Sequence, residues 1–522
     1  MTQRRSATTA VFWKALLGSL LVAAPALGLT PSCSSEPEGV CSLDDNSGCV
    51  GGQTCREGKD GRTACFCSPE SGQGCEGGKV CLAGPDGDPA CYCSLETEAG
   101  CAGGMVCEEV PGGYQGCFPP VTIGGKVFDL ESGAALAGAH VVARDANFAA
   151  VTGVALTNPQ GAYTLTVPVP RTAEGALLEQ VVFLRADAQG YITFPTAPRV
   201  ALPIDVAKAS GTPLHLETSA TSVGMVRLAN ADGLGSVSGK VLAPVPIGTL
   251  VVAGGAAMAG GGATGIADAD GSYTVFNVPA GSVTVRGYKV GLQLGQATAD
   301  VKADAQTIGV DLADNGEATA VVSGKIEIVN PGMGQDTSII LVVDETFDPK
   351  VIRGEAPPGL RIAPVSGDFS LAGVPDGNYV VLAAFENDFL VRDPDTSIGG
   401  TEIVHITVAK ENLAIAESFK VTGALNNPSP DNEEVVSGMP TLSWDDDSGE
   451  DHYEVRVFDA YGNLVWEKLD VPGVSGGKRV MVMYEGPPLM TGQLYQFRAV
   501  SIKQGGTPLA ITEDLRGVFL YK

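Results

Sequence analysis

The pentapeptide VSGKV at residues 237–241 recurs with small changes as IGGKV at residues 123–127 and as VSGKI at residues 322–326. A second phrase follows each copy, reading QGAYTL at residues 160–165, DGSYTV at residues 270–275 and SGDFSL at residues 366–371. In each second phrase a glycine turns the chain and an aromatic residue begins an alternating strand. The pattern predicts three related β-sandwiches in which Tyr163, Tyr273 and Phe369 face the interior.

The two phrases resemble those of the carboxypeptidase regulatory-like, or transthyretin-like, β-sandwich family. The first copy carries the resemblance furthest, because it adds Ser132-Gly133, the run LAGAHV at residues 136–141, and Gly190-Tyr191. The resemblance covers residues 120–420 and implies accessory modules of peptidases, transporters and surface proteins; a related sandwich binds starch. Such motifs specify a fold and leave the function open.

The composition favours strands over helices along most of the chain. Glycine (69 residues) and proline (33 residues) are abundant, and helical periodicity is scarce. A length of 522 residues indicates several domains. The predicted fold class is all-β, with tandem β-sandwich domains preceded by a small disulfide-rich repeat region. The formal charge of −27 repels nucleic acid, so no nucleic-acid partner is expected.

Cysteines repeat near the N-terminus with a period of 26 residues, and each unit reads C-x7-C-x5-C-x9-C. The units comprise Cys41, Cys49, Cys55 and Cys65; Cys67, Cys75, Cys81 and Cys91; and Cys93, Cys101, Cys107 and Cys117. Units so poor in large aliphatic side chains cannot bury a core, so we expect disulfides contributing about 2–4 kcal/mol each. Four cysteines allow three pairings, and the sequence does not choose among them.

Zinc is the alternative for these cysteines. It would favour CxxC pairs or histidines, and this region has neither. The secretory context favours disulfides. The units loosely resemble small EGF-like extracellular modules, with fewer cysteines in each repeat.

The N-terminus predicts export. Arg4 and Arg5 precede a largely apolar run at residues 11–29, which is typical of a signal peptide. Residues 24–26, Ala-Pro-Ala, could serve an ordinary signal peptidase. No other stretch reaches the roughly 18 uncharged apolar residues of a membrane-spanning helix.

A lipid anchor is the second interpretation of this end. Residues 29–33, Leu-Thr-Pro-Ser-Cys, resemble a bacterial lipobox, which implies lipidation of Cys33. Because the other twelve cysteines pair among themselves, Cys33 is the odd one and a thioether-linked lipid explains it. Ser34 then implies sorting to an outer membrane. The alternative is a free or intermolecular cysteine after simple secretion.

The C-terminal part resembles a fibronectin type III domain. MPTLSW at residues 439–444, HYEVRVF at residues 452–458 and YQFRAV at residues 495–500 read as its strands after a proline-containing linker. The expected core residues are Trp444, Tyr453, Val455, Tyr495 and Phe497. Trp466 is the one tryptophan considered for a surface role, and burial is favoured for it as well.

The sequence shows no catalytic motif. His140, His215, His405 and His452 form no HExxH, and no GxSxG is present. We therefore expect no catalysis and no cofactor. A cryptic hydrolase and a non-catalytic subunit of a surface degradation system are kept as alternatives.

Three further hypotheses concern binding and cross-linking. Weak calcium binding is the candidate role for the oxygen-rich runs at residues 44–46, 268–271 and 445–447, although Asp and Gly also form good turns and that explanation is favoured. Carbohydrate binding follows from the family resemblance, but most aromatic residues are expected in cores. Lys126, Lys240 and Lys325 lie where related pilin-type sandwiches carry an isopeptide lysine; solvent-facing lysines are the favoured interpretation.

The predicted organisation assigns each part of the chain one role. The segments are a signal peptide (1–32), a tether (33–40), three disulfide-rich repeats (41–118), a carboxypeptidase regulatory-like sandwich (119–225), two transthyretin-like sandwiches (233–318 and 319–420) and a fibronectin type III-like sandwich (426–522). Together they predict an extended rod at the outer membrane or cell surface, or secreted, with a structural, adhesive or ligand-display role. The expected partners are the membrane, through the lipid, and an unknown surface protein or glycan.

Overall fold

The computed structural model describes residues 41–522 except 96, 98, 196–200, 256–261, 350–351, 385–387, 461–462, 475–477 and 515. The signal peptide, the tether and Cys33 lie outside the described residues. The described chain is almost entirely strand and turn, with three 3-10 turns at Val206–Lys208, Ser219–Thr221 and Asp344–Thr346. This confirms the all-β fold class. Within the described part, no helix is both long and apolar enough to cross a membrane.

The cysteine repeats form three β-hairpins. Their strands are β1 (Thr54–Glu57) with β2 (Thr63–Phe66), β3 (Val80–Ala83) with β4 (Pro89–Tyr92), and β5 (Val106–Val110) with β6 (Tyr114–Phe118). In every unit the first cysteine bonds the third and the second bonds the fourth. The disulfides are Cys41–Cys55, Cys49–Cys65, Cys67–Cys81, Cys75–Cys91, Cys93–Cys107 and Cys101–Cys117.

The hairpin units stack on one another, and the whole row is named the stalk (residues 41–118). Gln53 Nε2 donates to the carbonyl of Gly74 at 3.2 Å, and the backbone N–H of Lys59 donates to Asp88 at 2.8 Å. Gly52 adopts a φ of 83° in the turn after the second cysteine, which explains why glycine recurs there. The stalk thus replaces an apolar core with disulfides and contacts between neighbouring units.

The first sandwich contains two facing sheets. Its strands are β7 (Val121–Asp129), β8 (His140–Arg144), β9 (Ala155–Leu156), β10 (Ala162–Val167), β11 (Val181–Asp187), β12 (Ile204–Asp205), β13 (Leu214–Leu216) and β14 (Val223–Met225). One sheet has the order β10-β7-β13, with β14 also on β7, and the other has the order β12-β11-β8-β9.

The second sandwich repeats this plan. Its strands are β15 (Leu234–Leu242), β16 (Leu250–Gly254), β17 (Ala263–Ile266), β18 (Ser272–Pro279), β19 (Gly281–Tyr288), β20 (Leu292–Leu294), β21 (Ala297–Val301), β22 (Gln306–Thr307) and β23 (Leu312–Glu317). The sheets have the orders β18-β15-β23-β20, with β22 on β15, and β17-β16-β19-β21.

The third sandwich follows after a short connection. Its strands are β24 (Ala320–Val329), β25 (Thr337–Val343), β26 (Arg361–Val365), β27 (Asp368–Val374), β28 (Gly377–Ala383), β29 (Leu390–Arg392), β30 (Val404–Val408) and β31 (Leu413–Gly423). The sheets have the orders β27-β24-β31-β29 and β26-β25-β28-β30.

The fourth sandwich has one large and one small sheet. Its strands are β32 (Glu434–Val436), β33 (Thr441–Asp445), β34 (His452–Asp459), β35 (Leu464–Pro472), β36 (Arg479–Met483), β37 (Leu494–Lys503), β38 (Thr507–Ile511) and β39 (Val518–Tyr521). The large sheet has the order β32-β39-β37-β34-β35 with β38 on β37, and the small sheet pairs β33 with β36.

The two repeated sequence phrases turn out to be paired strands. In the first three sandwiches the glycine of the first phrase lies directly opposite the aromatic residue of the second, as in Gly125 with Tyr163 and Gly239 with Tyr273. A Cβ at Gly239 would lie 1.9 Å from the carbonyl oxygen of Val310, so the close backbone approach requires glycine. Tyr163, Tyr273 and Phe369 are buried, which confirms that they face inward.

The expectation of an extended rod is wrong, because the first sandwich contacts each of the other three. These contacts include the hydrogen bond from Asn277 Nδ2 to the Tyr191 carbonyl at 2.8 Å, the ion pair of Arg185 with Glu355 at 2.8 Å, and the hydrogen bond from Leu494 N to Ser219 Oγ at 3.1 Å. Ala460, Leu494 and Val518 of the fourth sandwich also pack into the core of the first. The four sandwiches therefore form one compact body.

Candidate functional site

A cleft of about 700 Å³ opens between the third and fourth sandwiches. It lies where several strands end: β29 runs into one wall, β31 continues into its floor, and β33 ends at another wall. Its lining residues are Asn330, Pro331, Gly332, Asp393, Asp395, Ile398, Thr422, Gly423, Ala424, Leu425, Asn426, Asp445, Asp446, Asp447, Ser448, Leu509 and Ala510. Five of the described lining residues are aspartates, so the cleft favours cations.

Two buried aspartates form the wall that the third sandwich supplies. Asp393 and Asp395 are each 6% exposed. Lys503 of β37 binds Asp395 at 2.5 Å, and this contact together with hydrogen bonds from Ser397 lowers the pKa of Asp395 to about 2. Asp393 accepts the backbone N–H of Asp395 at 2.9 Å, and burial raises its pKa. The pKa values of these two neighbouring carboxyl groups are therefore shifted in opposite directions.

Three consecutive aspartates form the wall that the fourth sandwich supplies, and each is bound by the protein. Asp445 accepts from Arg479 Nη1 at 2.8 Å. Asp446 accepts the hydroxyl of Tyr453 at 3.0 Å, and Asp447 accepts the hydroxyl of Ser501 at 2.7 Å. These contacts fix the loop after β33, so its three carboxylates stabilise the fourth sandwich itself.

The side chain of Asn426 is a further polar group of the cleft lining. Its Oδ1 is buried and accepts no hydrogen bond. Asn426 belongs to the segment that links the third and fourth sandwiches, and its backbone carbonyl accepts the N–H of Asp445 at 2.9 Å. The backbone of Asn426 is therefore tied to the wall that the fourth sandwich supplies.

Side chains of the oxygen-rich runs are engaged by the protein itself. In the stalk, Asp45 accepts the N–H of Ser47 at 3.0 Å, as in an ordinary turn. In the second sandwich, Asp268 accepts the N–H of Val154 at 3.1 Å and Asp270 binds Lys240 at 3.1 Å. Among the described residues, the sets of three close metal-ligating groups consist of cysteines that the disulfides already use.

The four histidines lie apart from one another and from the cleft. His140 packs against the ring of Phe276, and burial lowers its pKa. His215 contacts the hydroxyl of Thr122 at 2.9 Å. The last two contact aspartates, His405 with Asp344 at 2.5 Å and His452 with Asp451 at 3.2 Å.

The lysines and aromatic residues singled out in the sequence occupy ordinary positions. Lys126, Lys240 and Lys325 are exposed on their strands. Trp466 is half-buried and packs edge-on against Tyr484 at 5.2 Å. The expected core residues of the fourth sandwich, Trp444, Tyr453, Val455, Tyr495 and Phe497, are all buried, which confirms that prediction.

A buried charged junction was not foreseen from the sequence. The guanidinium of Arg185 binds Asp187 at 2.6 Å, Thr264 Oγ1 at 2.7 Å and Glu355 at 2.8 Å, so it joins three sandwiches. Arg144 binds the same Glu355. Each arginine directly follows an apolar run, VVA before Arg144 and VVFL before Arg185, and a charge at the end of such a run is the signal that could have revealed them.

Comparison with known proteins adds no family to these observations. No protein-family model matches the chain, and no curated protein matches it. Solved structures give matches at low identity and low TM-score.

One match is the Bacillus anthracis TIE protein, at 11% identity and a TM-score of 0.15; it spans 72% of this chain and 66%, just under two thirds, of the TIE chain. A DUF3823 family protein from Bacteroides ovatus matches at 13% identity and a TM-score of 0.19, over 38% of this chain and 97% of its own. A Streptococcal ancillary pilin matches at 9% identity and a TM-score of 0.16, over 58% and 99%. Similarity at this level assigns no activity.

Proposed function

We propose that this protein is an exported surface protein without catalysis, in which a disulfide-linked stalk holds a compact body of four β-sandwiches for a structural, adhesive or ligand-display role. The six disulfides carry the proposal, because such bonds form and persist in oxidising compartments outside the cytosol. The partner class that fits this role is a surface protein or a glycan. The first three sandwiches would be transthyretin-like modules and the fourth a fibronectin type III-like module.

The attachment of the stalk to the body supports a display role. Glu108 of the stalk and Arg171 of the first sandwich form an ion pair in which the side chains are 1% and 2% exposed. Arg171 also donates to the carbonyl of Pro119 at 2.7 Å, and its guanidinium lies 5.3 Å from the ring centre of Phe118. A stalk fixed in this way holds the body in one orientation.

The proposed anchor is a lipid on Cys33. Several acyl chains would hold the protein stably at a membrane, whereas a single chain binds only marginally. The stalk begins at Cys41, so the anchored body would stand away from the membrane by the length of the stalk.

Metabolic labelling with radioactive palmitate tests the anchor. We expect label in the wild type and none in Cys33→Ala, with the variant released into the soluble or extracellular fraction. Cys33→Ser serves as the isosteric control. Equal labelling of wild type and variants would contradict lipidation, while disulfide mapping of the same samples tests the exported stalk independently.

The display role itself is tested on the native surface. One sample of cells producing the wild type is treated with an external protease. Untreated cells of the same culture are applied to a glycan array and to partner cells. We expect the body to be cleaved from intact cells and a deletion strain to lose attachment. Labelling of the protein by hydrolase-directed activity probes in its folded state, and not after unfolding, would contradict a non-catalytic role.

A further inference from the structure

Several polar contacts join the third and fourth sandwiches. The N–H of Phe389 donates to Oε1 of Glu513 at 2.7 Å, and the N–H of Leu425 donates to the carbonyl of Ile511 at 2.9 Å. Two ion pairs cross the same interface, Arg353 with Asp514 at 2.6 Å and Lys503 with Asp395 at 2.5 Å. Hydrogen bonds and ion pairs therefore join the two sandwiches.

Glu513 differs from the other acidic groups of this interface. It is 4% exposed, and its Oε1 is used by the Phe389 amide. Its neighbour Asp514 binds two arginines, Arg353 and Arg498. Glu513 has no such ion pair within 4 Å among the described residues, because the nearby Arg516 binds Asp431 instead at 2.6 Å. A buried carboxylate without a paired cation is costly in its charged form.

We propose that Glu513 is a proton-dependent clasp: the third and fourth sandwiches dock tightly while Glu513 carries a proton, and their docking weakens when it ionises. The device goes beyond the display role, because it concerns the arrangement of the body and not its anchor. It acts on the cleft directly, since the walls of the cleft belong to the two sandwiches that the clasp joins.

The direction of the effect follows from the groups around Glu513. Burial raises the pKa of Glu513 from 4.5 to about 7. The Phe389 amide lowers this pKa, the charge of Asp388 in the third sandwich raises it, and Arg516 and the backbone amide of Asp388 lower it. The docked state therefore binds the proton more tightly than the open state. The contribution of Glu513 to docking is complete below the pKa of an exposed glutamate and is lost as the pH rises through 7.

The ion pairs of the interface do not titrate in this window. Arg353 and Arg498 hold Asp514 at a pKa of about 2 despite its burial, and Lys503 together with Ser397 holds Asp395 at a pKa of about 2. Burial raises the pKa of Asp393 on the cleft wall as well, so its variant is needed as a separate control. Between mildly acidic and mildly alkaline pH the pH dependence of docking is thus assigned to Glu513.

Hydrogen exchange of the full disulfide-bonded chain tests the clasp. The two pKa values of Glu513 predict that opening of the interface becomes about 30-fold more favourable between about pH 5.5 and about pH 8.5. The protection factors of the Phe389 and Leu425 amides, corrected for intrinsic exchange, should fall by that factor. The Leu341 amide, which donates to Leu360 inside the third sandwich at 2.9 Å, should keep its protection.

Glu513→Gln separates the clasp from other causes, because glutamine keeps the acceptor oxygen and cannot ionise. We expect this variant to retain high protection at both pH values, while Asp393→Asn and the exposed control Glu411→Gln keep the fall seen in the wild type. Wild-type protection that does not change with pH, or an equal fall in Glu513→Gln, overturns the proposal. The wild-type series alone decides the outcome if Glu513→Gln does not fold.

Discussion

Glu355→Ala should uncouple the first and third sandwiches. Glu355 accepts from Arg144, and its Oε2 lies 2.8 Å from Arg185 Nη1; the two arginine side chains are 5% and 0% exposed. After the substitution Arg185 keeps Asp187, but Arg144 loses its carboxylate partner. One positive charge is then left buried without compensation.

The magnitude can be worked out in two ways. The hydrogen bond from Arg144 to Glu355 is lost, and a hydrogen bond between charged groups contributes about 1.5–3 kcal/mol. Breaking a buried ion pair by removing one partner costs about 3–5 kcal/mol. The two estimates meet at a loss of about 3 kcal/mol in the free energy of unfolding. Thr264 and Asp187 keep the loss from being larger, because they still hold Arg185.

Urea unfolding followed by two probes measures this loss. Tryptophan fluorescence reports the fourth sandwich through Trp444 and Trp466, and far-UV circular dichroism reports all four. We expect coincident transitions in the wild type, and in Glu355→Ala a circular dichroism transition that begins at lower urea. The exposed control Glu411→Ala should behave as the wild type. A loss below about 1 kcal/mol with coincident transitions would refute the coupling.

Three further substitutions test the packing of single residues. Trp444→Phe should lower the free energy of unfolding by less than about 1.5 kcal/mol, whereas Trp444→Ala should lower it by about 3–5 kcal/mol. The buried indole N–H has no acceptor among the described residues, so its removal offsets part of the cost of the lost volume. Urea unfolding followed by circular dichroism measures both losses. Glu108→Gln should release the stalk, because it leaves Arg171 buried without its counter-charge at a cost of about 3–5 kcal/mol. Limited proteolysis should then cleave this variant between stalk and body, whereas the control Glu109→Gln, at an exposed position, should stay resistant. Gly239→Ala should destabilise the second sandwich by more than about 2 kcal/mol in thermal unfolding, because its Cβ would meet the Val310 carbonyl at 1.9 Å, while Gly367→Ala, with open space around it, should be nearly neutral.

The sequence predicted the parts of the fold that depend on local pattern. The repeated phrases place glycine and aromatic residues on strands with a period of two, so the inward positions of Tyr163, Tyr273 and Phe369 followed directly. The core of the fourth sandwich followed for the same reason. The pairing of the cysteines did not follow, because Cys55 and Cys65 face each other across a hairpin and yet bond to different partners.

The arrangement of the sandwiches depends on residues that are far apart in the chain. Arg144 and Glu355 are 211 positions apart, and no local pattern relates them. The prediction of an extended rod was wrong for this reason, because it assumed that domains that follow one another in the sequence also lie in a line. Only one acidic wall of the cleft was indicated by the sequence, the run Asp445–Asp447. Asp393 and Asp395 were not singled out, because they reach the cleft from another sandwich.

Small-angle scattering of the disulfide-bonded chain from Cys41 onward tests the central claim, that the stalk carries one closed body of four sandwiches. A compact chain of this length has a radius of gyration of roughly 24 Å, and the projecting stalk adds several ångströms to it. Five units in line, each about 35 Å long, would give on the order of 50 Å. We expect a value below about 32 Å; a value above about 45 Å would contradict the closed body.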